Sequence, residues 1–176
     1  MQLKNQKVLI ATILIVILGI TSCKKHLPDL DNNNPQELIG TWISANEDDL
    51  NIEAGIIGGG IIETIVKKNG FKMPNTMIFN TDSTGTMSYD DDTGTFTYKH
   101  TPGGIIVKFS VLTLGGVDVS SEPVTFAYHI EDSKKMTLKA DMTKHFRIFL
   151  KEYNNGKLGG ANLISKAEII GVYNKK

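Results

Sequence analysis

Cysteine occurs once in the 176-residue chain, at Cys23. A lone thiol cannot form a disulfide within its own chain, so it is left as a nucleophile open to alkylation or acylation. The other groups able to do chemistry are poorly arranged for it. The four histidines, at 26, 100, 129 and 145, are scattered, and none has a second ligand-type residue at metal spacing. His129 reads as a satisfied or exposed strand histidine. Asp90-Asp91-Asp92 brings carboxylates together, but an EF-hand loop needs alternating ligands, a central glycine and a distant glutamate. The run reads instead as a solvated hairpin turn. No Gly-x-Ser-x-Gly elbow, His-Glu-x-x-His pair, phosphate loop or dinucleotide fingerprint occurs. The expectation is therefore no catalytic residues, no metal, no cofactor and no enzyme.

The surroundings of Cys23 are more informative. Met1 to Lys7 carries Lys4 and Lys7 and no acid. Val8 to Ile20 is a run of Ile, Leu and Val interrupted only by Ala11, Thr12 and Gly19. A spanning helix needs about 20 apolar residues, so this shorter run suits the apolar core of a signal peptide better. It ends in Leu18-Gly19-Ile20-Thr21-Ser22-Cys23, which resembles the lipobox of bacterial lipoproteins. The resemblance implies diacylglycerol on the Cys23 thiol, cleavage before it, and acylation of the new amino terminus by a fatty acid such as palmitate. Each buried methylene contributes about 0.8 kcal/mol, so several chains make such an anchor effectively permanent. Membrane lipid is thus the expected partner of Cys23.

Removing Lys4 and Lys7 from the 19 basic residues leaves 17 against 19 acidic ones. No basic stripe is present, which argues against nucleic acid as a partner. Lys24 and Lys25 would face lipid headgroups. No acid follows Cys23, so the outer membrane is the expected destination, on either its periplasmic or its outer side. No protein partner is indicated.

Four segments follow from composition and pattern: residues 1–22 as signal, 23–37 as anchor and flexible tether, 38–153 as one domain, and 154–176 as a C-terminal extension. The tether contains Pro28-Asp29-Leu30-Asp31-Asn32-Asn33-Asn34-Pro35. From Cys23 to Leu38 it could reach about 50 Å when extended. The domain opens with a short strand at Leu38–Ile43. Strands and tight turns then repeat: Thr76–Asn80, Thr86–Tyr89, Thr95–His100, Ile105–Leu114, Val124–Ile130, Lys135–Ala140 and, last, Phe146–Tyr153. Val124, Phe126, Tyr128 and Ile130 alternate with Thr125, Ala127 and His129, as an antiparallel sheet with one buried face requires. Phe146, Ile148 and Leu150 likewise alternate with Arg147, Phe149 and Lys151. Such spacing predicts a sandwich or an up-and-down barrel.

Asp48 to Lys68 breaks that pattern. Leu50, Ala54, Ile57, Ile61 and Ile65 share a helical face, and Asn69-Gly70 is a stop signal. Gly55, Gly58, Gly59 and Gly60 interrupt it, each at a cost of about 1 kcal/mol relative to Ala. Two short helices bent at Gly58–Gly60 are expected. They would serve as a cap on the barrel end, a lid contacting ligand, or a membrane-inserting hairpin. The tail beyond Asn154 is open between a short helix through Leu163, Ala167 and Ile170 and a strand at Ile169–Tyr173.

Gly40-Thr41-Trp42 on the first strand resembles the Gly-x-Trp signature of lipocalin-like proteins. Met77-Ile78-Phe79-Asn80-Thr81-Asp82-Ser83-Thr84-Gly85-Thr86 is similar to a hairpin of small lipocalin-like lipoproteins common in Bacteroidetes, although Ser-Thr-Gly stands where a glycine often follows the aspartate. The resemblance covers Leu38 to Tyr153. It implies a mainly β fold: an antiparallel up-and-down barrel of about eight strands with a glycine-rich helical insertion after the first. It also implies a Trp that closes one barrel end under an Arg from the last strand, joined by a cation–π stack. Arg147 is the sole arginine. Trp42 and Arg147 are therefore the expected barrel-closing pair, unless Arg147 is an ordinary surface residue. Asp82-Ser83-Thr84 also resembles a short O-glycosylation motif of exported Bacteroidetes proteins.

Two functions fit this picture. A barrel of eight strands has room for one small molecule, so the chain would bind a small apolar or amphipathic ligand through Ile57, Ile61, Phe96, Tyr98, Phe109 and Phe126. Alternatively, a filled barrel would act as a non-enzymatic envelope scaffold that docks a partner. The interior decides between them.

Overall fold

Alternating apolar residues turn most of the described residues after Leu38 into strands that bury about every second side chain. The computed structural model describes residues 34–46, 48–54, 63–64, 68, 73–90, 92–153 and 161–176. The expected signal segment and Cys23 lie outside the described residues.

Eight antiparallel strands close an up-and-down barrel in the order β1 (Gly40–Ser44), β3 (Thr76–Phe79), β4 (Thr84–Tyr89), β5 (Asp92–Thr101), β6 (Gly104–Phe109), β9 (Val124–Glu131), β10 (Lys135–Asp141) and β11 (Ile164–Lys175). The last strand returns to the first through Trp42↔Lys175 and Ser44↔Tyr173. β2 (Asp49–Ala54) continues along the same edge of β11, from Asp49↔Ile170 to Ala54↔Ile164. The chain kinks between β1 and β2, where Asn46 takes φ +58° and donates its N–H to the Ser44 hydroxyl. A two-stranded ribbon, β7 (Thr113–Leu114) and β8 (Val117–Asp118), leaves the barrel after β6. Gly115 and Gly116 form its turn at positive φ.

A short helix, α1 (Pro35–Leu38), precedes β1. Asn34 caps it by accepting from the Gln36 N–H at 3.1 Å, Pro35 begins it, and Leu38 is fully buried. The expected tether of 23–37 therefore ends sooner, because residues 35–38 form this helix and Leu38 anchors it in the core.

Three further expectations are corrected. Phe146–Tyr153 is not a strand but the outer part of helix α2 (Thr143–Glu152). Its buried residues, His145, Phe146, Phe149 and Leu150, repeat at helical spacing, and the Asp141 carboxylate accepts from the Thr143 N–H at 3.0 Å and its hydroxyl at 2.7 Å. Second, the region beyond 153 is no extension: β11 is the longest strand, and without it the barrel would stay open between β10 and β1. The domain runs to the end of the chain. Third, the start of the 48–68 segment is β2, not helix, because Asp49–Ala54 finds the free edge of β11. Helix does follow, at Glu63, Thr64 and Lys68. Gly55 and Gly58–Gly60 lie outside the described residues.

Candidate functional site

The barrel has two ends of different construction. At the first, where β1 begins and β11 finishes, Trp42 is fully buried and donates its indole N–H to the Leu38 carbonyl at 2.7 Å. The Lys175 ammonium lies 5.0 Å from the Trp42 ring centroid and donates to the Glu37 carbonyl at 2.8 Å. One cation thus stacks on the ring and satisfies a helix-end carbonyl. Gly40 makes the arrangement possible. Its φ is +129°, and a Cβ there would stand 3.1 Å from Lys175 Cε. The Gly-Thr-Trp run is therefore a seat for the Lys175 stem.

Arg147 does not join Trp42. Carried by α2, its Nε and Nη2 both donate to the Ile164 carbonyl, at 3.0 and 2.6 Å, tying the helix to the start of β11. The closing cation is Lys175, which became visible only when residues 164–175 proved to be a strand. Pairing Trp42 with Arg147 rested on the helix being read as the last strand.

Between the ends, the expected ligand contacts Phe96, Tyr98, Phe109 and Phe126 do converge, but as packed core. Phe96 meets Phe109 at 5.8 Å between centroids, and Phe109 meets Phe126 at 6.2 Å. Phe79, which sequence reasoning did not select, stacks edge-on against both Phe96 (5.3 Å) and Tyr98 (5.4 Å). Its signal was plain alternation in β3, Met77 and Phe79 against Thr76 and Ile78. The Phe96 ring fills the space where a side chain on Gly85 would stand. The Tyr98 hydroxyl donates to the Asn80 carbonyl at 2.5 Å, so this ring is also polar-satisfied. Ile57 and Ile61 lie outside the described residues.

The second end is built from the last residues of β4, β6 and β10 and the first of β3, β9 and β11. A cavity of about 30 Å³ lies there, lined by Met73, Pro74, Met77, Tyr89, Phe109, Leu112, Phe126, Ala140, Met142 and Ile169. Its lining is apolar throughout. Burial pushes the Tyr89 hydroxyl up to about 12, and Tyr173, whose hydroxyl donates to the Pro74 carbonyl at 3.1 Å, is raised further for the same reason. Neither phenol is activated for chemistry at neutral pH.

Outside the barrel, β4, β5 and β6 present Thr84, Thr86, Thr95, Thr97, Lys108 and Ser110 around an open depression of about 470 Å³. Thr95 and Ser110 share a hydroxyl hydrogen bond of 3.0 Å. The opposite wall is charged, with Glu168 between Lys139 (2.7 Å) and Lys166 (2.9 Å). His129 sits half-buried on β9 of that side, and His100 stacks edge-on against Tyr98 at 5.4 Å. Asp90 accepts from the Asn75 side chain at 2.9 Å, and Asp82 accepts from the Thr84 N–H and hydroxyl, which holds its carboxyl below the usual range. Both therefore serve hairpin geometry. Among the described residues, no three His, Cys, Asp or Glu side chains are grouped to hold a metal, and no helix is long and apolar enough to cross a membrane.

No family model, no curated protein and no solved structure matches this chain.

Proposed function

We propose that this protein is a lipid-anchored lipoprotein of the outer membrane whose lipocalin-like barrel is a non-enzymatic docking scaffold of the cell envelope. The filled interior carries this reading. Ligand pockets for small molecules have volumes of about 300–1,000 Å³. The interior cavity among the described residues is about 30 Å³, and the rings that would have lined a binding site pack on one another instead. α1 packs at the sealed Trp42 end, and the hydroxyl-bearing wall of β4, β5 and β6 is the described surface offered to a partner.

One observation favours the second reading, a carrier of a small apolar or amphipathic molecule. Met73, Met77 and Met142 line the cavity, and unbranched thioethers repack more readily than other core side chains. Native mass spectrometry of protein extracted from its own membrane separates the two. The scaffold reading expects the acylated chain alone, whereas a stoichiometric copurifying small molecule would replace it with the carrier. The anchor has its own test. Cys23→Ser is expected to abolish labelling by an alkyne fatty acid and to release the protein from the membrane fraction; continued labelling would refute it.

A further inference from the structure

We propose that His145 is an acid-operated latch, holding the first turn of α2, and with it Met142, against the loop at Glu122 and the cavity end of the barrel. His145 is 1% exposed, the one buried polar or charged side chain among the described residues. Its Nε2 lies 2.9 Å from the Glu122 carbonyl. A carbonyl only accepts, so Nε2 carries the proton and Nδ1 carries the lone pair. Nδ1 is buried and has no hydrogen-bond partner among the described residues. The neutral ring thus fits with one bond made and one weak acceptor unsatisfied.

Protonation changes this balance. It would place a second N–H, and a charge, where no described residue offers an acceptor. His145 also stands in the first turn of α2, where the helix dipole disfavours a cation. The charged groups around it do not reverse that preference. Glu122 and Asp141 favour the imidazolium and Lys144 opposes it, while burial dominates and holds the ring below its ordinary 6.5. On the elements packed against α2, the Asp118 carboxylate of β8 is held by Ser120 at 2.6 Å, and Lys166 and Glu168 of β11 pair with each other. Lys144 also reaches Glu122 at 3.4 Å, an exposed pair too weak to keep the loop in place by itself.

The consequence reaches the cavity because Met142 is both the residue that begins α2 and part of the cavity lining. Phe146 returns its N–H to the Met142 carbonyl at 2.9 Å, so loss of the first turn removes one of the two backbone bonds of Met142 and leaves its N–H on the Ala167 carbonyl of β11, at 2.9 Å, as the remaining tie. Acid would loosen this end and leave the Trp42 end untouched. The latch stands whether the barrel docks a partner or carries a ligand, since it concerns only when the cavity end opens.

Hydrogen exchange on the full mature protein at pH 7.5 and 5.5, corrected for intrinsic rates, tests it. Amides of residues 142–150 are expected to open more at pH 5.5, by up to about tenfold, the ceiling for one pH unit below a free imidazole, with no change around Trp42. His145→Gln keeps a donor to Glu122 but cannot gain a proton, and its acid response should collapse to nothing. Acid acceleration persisting in H145Q, or absent from the wild type, overturns the proposal. Should H145Q not fold, an NMR titration of the wild-type ring decides, and a midpoint at or above 6.5 overturns it.

Discussion

The two ends of the barrel bury apolar surface by opposite means. At the Trp42 end the polar atoms described have partners: the indole N–H meets Leu38, the ammonium of Lys175 meets Glu37, and the stem of that lysine rests beside Gly40. At the other end one buried bond, from the Tyr173 hydroxyl to the Pro74 carbonyl, is set among thioethers, a small cavity, and a buried histidine with one nitrogen unsatisfied. Directional bonds fix a unique geometry, whereas methionine packing tolerates several. The first end is therefore the rigid floor of the molecule and the second is where change is cheapest.

Substitutions can break or sharpen that contrast. Trp42→Ala should have the largest effect, a loss of about 3–5 kcal/mol in urea unfolding, because a fully buried ring and its hydrogen bond go together. Met142→Ala at the other end should cost about 2 kcal/mol, the low end for such changes, because Met73 and Met77 can move into the space. Equal losses in the two variants would erase the distinction between the ends. Lys175→Met keeps the stem and removes the charge, so it should cost about 1 kcal/mol, and Lys175→Arg should recover most of it. A null effect would mean that Trp42 is closed by packing alone.

The two ends should also differ in pH dependence. Burial lowers His145 below 6.5 in the folded state, so the unfolded chain binds the extra proton first as pH falls. Its contribution to stability is fully present above pH 6.5 and is lost progressively below that value. Chemical unfolding at a series of pH values should show this decline in the wild type and less of it in H145Q.

Alternation made much of the wall legible in the sequence. In β9, Val124, Phe126 and Tyr128 are buried and Thr125 is exposed, as period two requires. Phe146–Tyr153 misled because a short apolar run fits either period. Phe146 and Leu150 lie on one face in a strand and also four apart on a helix. The deciding feature was local and available, an aspartate two residues ahead of a threonine able to cap a turn, Asp141-Met142-Thr143. The tail was ambiguous for a different reason. Ile164–Lys175 pairs with three strands, β1, β2 and β10, the first two more than a hundred residues away, and only their free edges make it a strand.

The candidate site divides the same way. Phe96, Tyr98, Phe109 and Phe126 were recognisable as inward residues, yet inward did not mean available, because ring-on-ring packing consumes the space between strands. Gly40 and Trp42 were legible as a pair, but their cation was not, since Lys175 lies 133 positions from Trp42 along the chain.

What the sequence alone determined is periodic or local: an apolar run shortly before a single cysteine, a β-rich domain, inward and outward faces, and the absence of familiar catalytic motifs. Tertiary structure alone decided which strand closes the barrel, which cation covers Trp42, how the inward rings pack on one another, and which histidine is deprived of water. Those properties depend on contacts between residues distant in sequence, and no local pattern encodes how tightly two distant side chains will meet.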